Sequence, residues 1–261
     1  MSANGQTPNG NGRNGSMLFQ RWEVKYVVDR TTRTALERDL AALMRPDAFG
    51  HNDGTYVVRS LYFDSPDFMA FHSKNAGEAV RHKLRTRIYT DVATQADWVR
   101  LEVKSRILAV IHKVTCGVSR AVYEEIWEAI QARSLPKPEI LDGHPGIREF
   151  FRLLKTYNME PKVIVQYRRK AWERRDVSRI RTNFDDEIVA TRHADLLGEL
   201  RNPRRLLQYG HSVFEIKVDG VMPYWLHMLT DKYRLQARPF SKFCYALLSE
   251  ARTSAAISRD E

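Results

Sequence analysis

The sequence predicts an α+β protein whose sheet is a closed antiparallel β-barrel of about eight strands, with helices packed outside. Three observations lead there. Eight short segments are rich in β-branched and aromatic residues and are bounded by turn formers, as strands are. Helical periodicities lie among them without strict strand–helix alternation, which favours a mainly antiparallel sheet. Several of the strands carry basic residues on one face and aliphatic residues on the other, and closing the sheet would turn the basic face inward.

In chain order, the strand-like segments are residues 21–28, 56–63, 82–90, 98–106, 108–115, 162–172, 179–184 and 212–218. Helices are expected over 31–44, 119–132, 146–157, 222–233 and 240–251. The first places Ala35, Leu36, Leu40 and Leu43 on one side, behind a capping residue at Asp29 or Thr31. Asp64 has the position to cap a helix starting near Ser65 and Pro66. Trp22, Trp98, Trp127, Trp172 and Trp225 are expected to anchor helix packing, and Tyr26, Tyr62 and Tyr89 to lie in the core.

A chain of 261 residues can bury a sizeable core without staples. No Gly/Ser/Pro-rich linker divides it, so residues 17–252 read as one domain. Residues 1–16 and 253–261 are expected to be disordered tails, too poor in apolar residues to offset ordering entropy. Lys and Arg (42) outnumber Asp and Glu (32), a net charge of +10 that points to a polyanionic partner without naming it. Cys116 and Cys244 are too few for a disulfide framework and lack metal-ligand spacing. The eight histidines are scattered, so a histidine metal site is not expected. No signal-peptide stretch or apolar run approaching 18 residues is present, and a cytoplasmic location is expected. A membrane partner stays open, though nothing in the sequence argues for one.

The strand faces carry the chemistry. Arg21, Glu23 and Lys25 share a face opposite Trp22, Val24 and Tyr26. Lys83, Arg85 and Arg87 share one opposite Leu84 and Ile88, as do Glu102, Lys104 and Arg106 opposite Leu101 and Val103. Glu215 and Lys217 repeat the device opposite Phe214, Ile216 and Val218, with Lys113, Arg169 and Arg181 between. Any one of these strands, taken alone, reads as the wet side of a half-buried sheet. Taken together they place like charges opposite one another, which destabilises a sheet unless an anion sits between them. Arg offers a planar fork that fits phosphate oxygens and Lys a compact point charge, so a chain of phosphates suits a narrow passage lined by both. The carboxylates Glu23, Glu102 and Glu215 either neutralise their basic neighbours or share a divalent cation with phosphate; hard oxygen ligands suit Mg²⁺ or Mn²⁺.

These segments carry a resemblance. EVKY (23–26), SLYFDS (60–65), KLRTRIY (83–89), LEVKSR (101–106), YRRKAW (167–172), RIRTNFD (179–185), FEIKVDG (214–220) and FSKF (240–243) together resemble the polyphosphate polymerase domain of vacuolar transporter chaperone (VTC) proteins, from about residue 18 to 248. That domain is one of the CYTH-like triphosphate tunnel metalloenzymes, so the resemblance implies a closed, charge-lined tunnel. It assigns phosphate binding to Lys25, Arg85, Arg87, Lys104, Lys113, Arg169, Arg181 and Lys242, and the metal, Mn²⁺ or Mg²⁺, to Glu215, with Glu23, Glu102 and Lys217 as accessory candidates. Tunnel triphosphatases usually begin Glu-x-Glu-x-Lys; here the first position is Arg21, which fits the polymerase branch better. Fungal relatives add a regulatory domain and membrane helices that this sequence lacks, so those functions are not carried over.

The expected activity is transfer of the ATP γ-phosphate onto inorganic polyphosphate. Hydrolysis of triphosphate or nucleoside triphosphate in the same tunnel, and non-catalytic polyanion binding, stay open. Nucleic acid is not an expected partner: the clusters at 168–170, 174–175 and 201–205 are basic, but no base-stacking motif accompanies them.

Overall fold

The structure, a computed structural model, describes residues 21–50, 53–92, 95–174, 180–192 and 195–257. The expected tail at 1–16 and the start of the strand expected from Arg179 lie outside the described residues.

The chain opens with β1 (Arg21–Val28), α1 (Arg30–Leu43), β2 (Arg45–Pro46), β3 (Thr55–Asp64) and α2 (Met69–Ala76). Next come β4 (Val80–Ile88), β5 (Trp98–Ile107), β6 (Val110–Ser119), α3 (Arg120–Gln131), α4 (Pro138–Gly143) and α5 (Pro145–Thr156). It finishes with β7 (Glu160–Glu173), β8 (Arg181–Thr191), β9 (Arg204–Arg205), β10 (Ser212–Asp219), α6 (Tyr224–Lys232) and α7 (Lys242–Ile257). Local chemistry sets several boundaries. The Asp29 carboxylate accepts from the Thr32 amide at 2.8 Å and starts α1. His144 Nδ1 accepts from the Gly146 amide at 2.9 Å, with Pro145 pre-set for the first turn of α5. Asp64 is fully buried and accepts from the amides of Ser65 (2.8 Å), Ala70 (2.7 Å) and Phe71 (3.0 Å), so it caps α2 across the turn, three residues later than the sequence suggests. The tail expected from 253 overlaps the last turn of α7.

All the strands belong to one ten-stranded antiparallel sheet, in the order β1-β10-β8-β7-β3-β4-β5-β6, with β2 on β7 and β9 on β8. The expected closure is not made by backbone: among the described residues no ladder joins β1 to β6. The segment entering α7 takes the free edge of β1 instead, where the Arg238 amide donates to the Lys25 carbonyl at 2.9 Å and Tyr26 bridges Ala237. The sheet nevertheless curls far enough to bring Glu23 of β1 within 3.9 Å of Lys104 of β5.

One face of this curl is covered by α1 and α6 over β1, β10 and β8, where Leu36, Leu40, Phe184, Phe214 and Ile216 are buried together. There Arg33 grips Asp186 with two bonds (3.1 and 2.9 Å) and tethers α1 to β8. The helices α3 and α5 cover β4, β5 and β6 on the same face, with Tyr123, Ile126, Phe150 and Phe151 against Leu84, Leu101 and Val103. The last helix departs from the expectation that helices pack outside. Phe240, Phe243, Cys244 and Leu247 bury against Tyr62, Val163, Val165, Tyr167 and Val213, which alternation places on the other, inner face. The reason is the route of the chain, which has already followed the β1 edge to the mouth of the curl. Trp172 is buried as expected, but Trp22 and Trp98 are exposed; Trp98 shares its strand face with Arg100 and Glu102, away from the helices that cover Val99 and Leu101. No described helix is long and apolar enough to cross a membrane.

Replacing Asp64 by Ala strands three inward-facing amides. Urea denaturation of Asp64→Ala should show a loss of about 2–4 kcal/mol, and a loss below about 0.5 kcal/mol would show that the cap is dispensable.

Candidate functional site

The inner face is assembled by strand register. Lys25 and Glu23 of β1 stand opposite Glu215 and Lys217 of β10. Glu215 and Lys217 stand opposite Asn183 and Arg181 of β8, and Asp185 opposite Arg169 of β7. Beyond β3, where Tyr62 pairs with Arg85 and Ser60 with Arg87, Arg85 meets Glu102 and Lys104 meets Lys113. Seven of the eight cations proposed as phosphate ligands therefore project from strands onto one face, and Lys242 joins them from the first turn of α7.

Three carboxylate-centred groups hold these cations. Glu102 is buried, pairs closely with Arg85, and has Lys113 at 3.6 Å and Arg87 at 3.9 Å. Burial alone would raise its carboxyl, but Arg85, Arg87 and Lys113 outweigh that and bring it to about 2. Arg87 is also fixed through Nε, which donates to Ser60 Oγ at 2.9 Å. In the second group, Arg169 donates to both oxygens of Asp185 (2.7 and 2.9 Å), and Lys242 pairs closely with the same carboxylate. The neighbouring Glu215 has Lys217 at 3.3 Å, Lys25 at 3.6 Å and Arg169 at 3.7 Å. Against the cost of burial, these cations keep both carboxylates ionised, Glu215 well below the usual range. Lys25 likewise stays above its ordinary value: burial pulls it down, but Glu215 and Glu23 prevail. The third group is smaller. Arg181 pairs closely with buried Asp47 and donates to Tyr56 Oη at 3.3 Å.

Lys217 behaves differently. Burial drags its ammonium down to about 8, with Arg169 adding to the effect and Glu215 only partly resisting. Half-exposed Lys104 reaches Glu23, which also takes Lys25 at 2.5 Å.

The residues the sequence reading left without a role are mostly the acceptors. Asp185 alternates with Arg181 and Asn183 along one strand, a signal that was available. Asp47 lies after β2 and has no periodic signal. Tyr62, expected in the core, is buried against Phe243, yet its hydroxyl accepts from Arg85 at 3.4 Å. Burial would raise this phenol, but Arg85, Arg87 and Lys242 bring it below its ordinary value. Tyr89 is partly exposed between Arg87 and Arg100 rather than in the core.

A divalent cation can be tested against these donors. Among the described residues no three His, Cys, Asp or Glu side chains are arranged to hold a metal. Asn183, however, donates through Nδ2 to Asp185 at 3.1 Å and leaves Oδ1 buried with no hydrogen-bond partner, on the strand position paired with Glu215. One carboxylate and one unpartnered amide oxygen, completed by phosphate oxygens, fit the way Mg²⁺ is held at phosphate sites.

The inner face of this curled antiparallel sheet thus gathers buried carboxylates and the cations they hold. The chain belongs to the VTC domain family, which matches residues 20–250. Its fold is similar to that of the Hippeastrum protein HpAC1, described as a candidate adenylyl cyclase with a dominant triphosphatase activity (TM-score 0.51, 13% identity, 87% of this chain and 95% of that one). A candidate adenylate cyclase of Bacillus halodurans (TM-score 0.46, 14% identity, 84% and 92%) and the PH1819 protein of Pyrococcus horikoshii (TM-score 0.45, 10% identity, 90% and 99%) are also similar. No curated protein matches the sequence.

Because the Glu102 carboxyl lies near 2 when folded, against 4.5 ordinarily, its contribution is complete above about pH 4.5 and is lost as pH falls toward about 2. Over that window stability should fall more steeply in the unmodified protein than in Glu102→Gln, by up to about 3 kcal/mol. Equal slopes in denaturant titrations would show that its cations do not hold Glu102.

Proposed function

We propose that the chain transfers the γ-phosphate of ATP to the end of an inorganic polyphosphate chain. The observation that carries this reading is the inner face itself, on which strand register gathers more cations than carboxylates and buried carboxylates fix the guanidinium groups. Phosphoryl transfer needs little covalent chemistry from a protein; positioning and charge stabilisation supply most of the catalysis. Lys25, Arg85, Arg87, Lys104 and Lys113 bind the triphosphate and the growing chain. Arg169, Arg181 and Lys242 stabilise charge on the group in transit. An oxygen of the acceptor's terminal phosphate bonds to the γ-phosphorus while the bond to the bridging β–γ oxygen breaks and ADP leaves. That acceptor is already largely ionised near neutrality, so no side chain need remove a proton. Glu215 and Asn183 would hold Mn²⁺ or Mg²⁺, which when bound neutralises phosphate oxygens.

Hydrolysis, with water as acceptor, is the second reading, favoured by the likeness in fold to HpAC1 and its triphosphatase activity. Position 21 favours transfer: the acid that opens the triphosphatase pattern is Arg here.

Incubation with ATP and Mn²⁺, with products sized on a gel, should yield a polyphosphate ladder. ADP and orthophosphate alone would establish hydrolysis, and no turnover with any divalent cation would leave polyanion binding as the function. Lys25→Ala and Arg85→Ala should each cost about 10²-fold or more in turnover, and Glu215→Gln should abolish it.

Lys217 gives the site a pH dependence. Its charge is present below about 8 and lost above it, so affinity for tripolyphosphate should weaken as pH rises through that value. In Lys217→Arg, whose guanidinium stays charged, calorimetric titrations should lack this break. A break of equal size in the variant would assign it to another group.

A further inference from the structure

Most cations of the inner face have a carboxylate. Lys83 has none: among the described residues no acidic side chain lies within 4.0 Å of it, and its half-buried ammonium sits 5.9 Å above the ring of Phe243 on α7. Its other charged neighbours make matters worse. Lys104 is its strand partner across β4 and β5, Lys113 is the partner of Lys104 across β5 and β6, and Lys74 of α2 acts on it as well. Three lysines thus stand directly opposite one another on adjacent strands, the arrangement that costs a sheet most. Lys104 and Lys113 offset part of this by reaching Glu23 (3.9 Å) and Glu102 (3.6 Å). Nothing does the same for Lys83, and burial, reinforced by Lys74 and Lys104, presses its ammonium below the ordinary value despite Cys244 and Tyr62. A buried charge without a counter-charge is expensive unless a ligand supplies one.

Lys83 itself stands outside the Glu102 group, which Lys113 joins. Lys83 is two residues from Arg85 along β4, about 7 Å at strand rise, on the side where Phe243 and Cys244 of α7 face it. A triphosphate held by Arg85 and Arg87 need not extend along β4 to Lys83, whereas a longer chain of phosphates running that way meets it.

We propose that Lys83, beyond the cations that hold the triphosphate, is a subsite for an interior phosphate of an inorganic polyphosphate chain longer than triphosphate. The inference rests on reading the hollow as a phosphate-chain site and assigns the part of it that senses chain length. Discrete phosphate and the triphosphate end of a nucleotide share the chemistry, but neither needs a cation displaced along the strand from the triphosphate group.

The test is calorimetric titration of the full chain with tripolyphosphate and, separately, with long-chain polyphosphate. Lys83→Ala should lose about tenfold or more in affinity for the long chain, the value of one charge-assisted contact, and less than about twofold for tripolyphosphate. Lys83→Arg should keep both affinities, and it guards against reading a folding defect as a lost contact. Equal losses for the two ligands, or no loss for either, would overturn the subsite alone. If the unmodified protein binds neither ligand, the reading of the hollow fails and the subsite with it.

Discussion

Mutual repulsion among cations is the constraint around which this structure is arranged. Strands that alternate basic and aliphatic residues cannot pack their basic faces together unless something neutralises them. The protein answers with Glu102, Asp185 and Glu215, each buried and each held ionised by two or more cations. Arginine and lysine divide the task. Guanidinium groups are fixed in place, as Arg169 is by both oxygens of Asp185 and Arg87 by Glu102 and Ser60. Lysines at the rim, such as Lys104 and Lys113, keep more freedom and more exposure. A face built this way is organised in advance, which would lower the reorganisation needed in the proposed transfer.

The tyrosines shape the same space from the apolar side. The Arg85 guanidinium lies 5.9 Å from the Tyr62 ring centre, Arg169 5.2 Å from that of Tyr167, and Lys242 4.6 Å from the same ring. Rings of this kind exclude water from one side of each cation while their faces still attract it. The charged groups therefore sit in a medium where their fields reach further than they would in bulk solvent.

Much of this was legible in the sequence because strand alternation is a period of two and needs no tertiary information. It identified which residues share a face for Lys25, Arg85, Lys104 and Glu215, and each expected strand overlaps an observed one, though β6 runs four and β8 seven residues past the expected ends. Alternation says nothing about which strands become neighbours. The pairing of Glu215 with Asn183, and the missing ladder between β1 and β6, follow from topology alone. The helix α7 was legible as a helix, but its apolar stripe fits either side of a sheet, so its place on the inner face was not. Asp47 lay beyond reach for a different reason: it comes from a connection with no period at all, and only the fold brings it to Arg181.

The pairing of β1 with β10 has a consequence for how the molecule comes together. The two strands stand side by side though nearly the whole domain separates them in the chain, and α7 follows later still. Contacts between such distant stretches form late and slowly, since a large loop must close before they give any return. Neither half of the chain carries the whole charged face: Lys25 and Arg85 come from one, Glu215 and Lys242 from the other. Fragments that stop short of the last helix would present an unfinished, self-repelling surface, so the charged face and the fold are completed together.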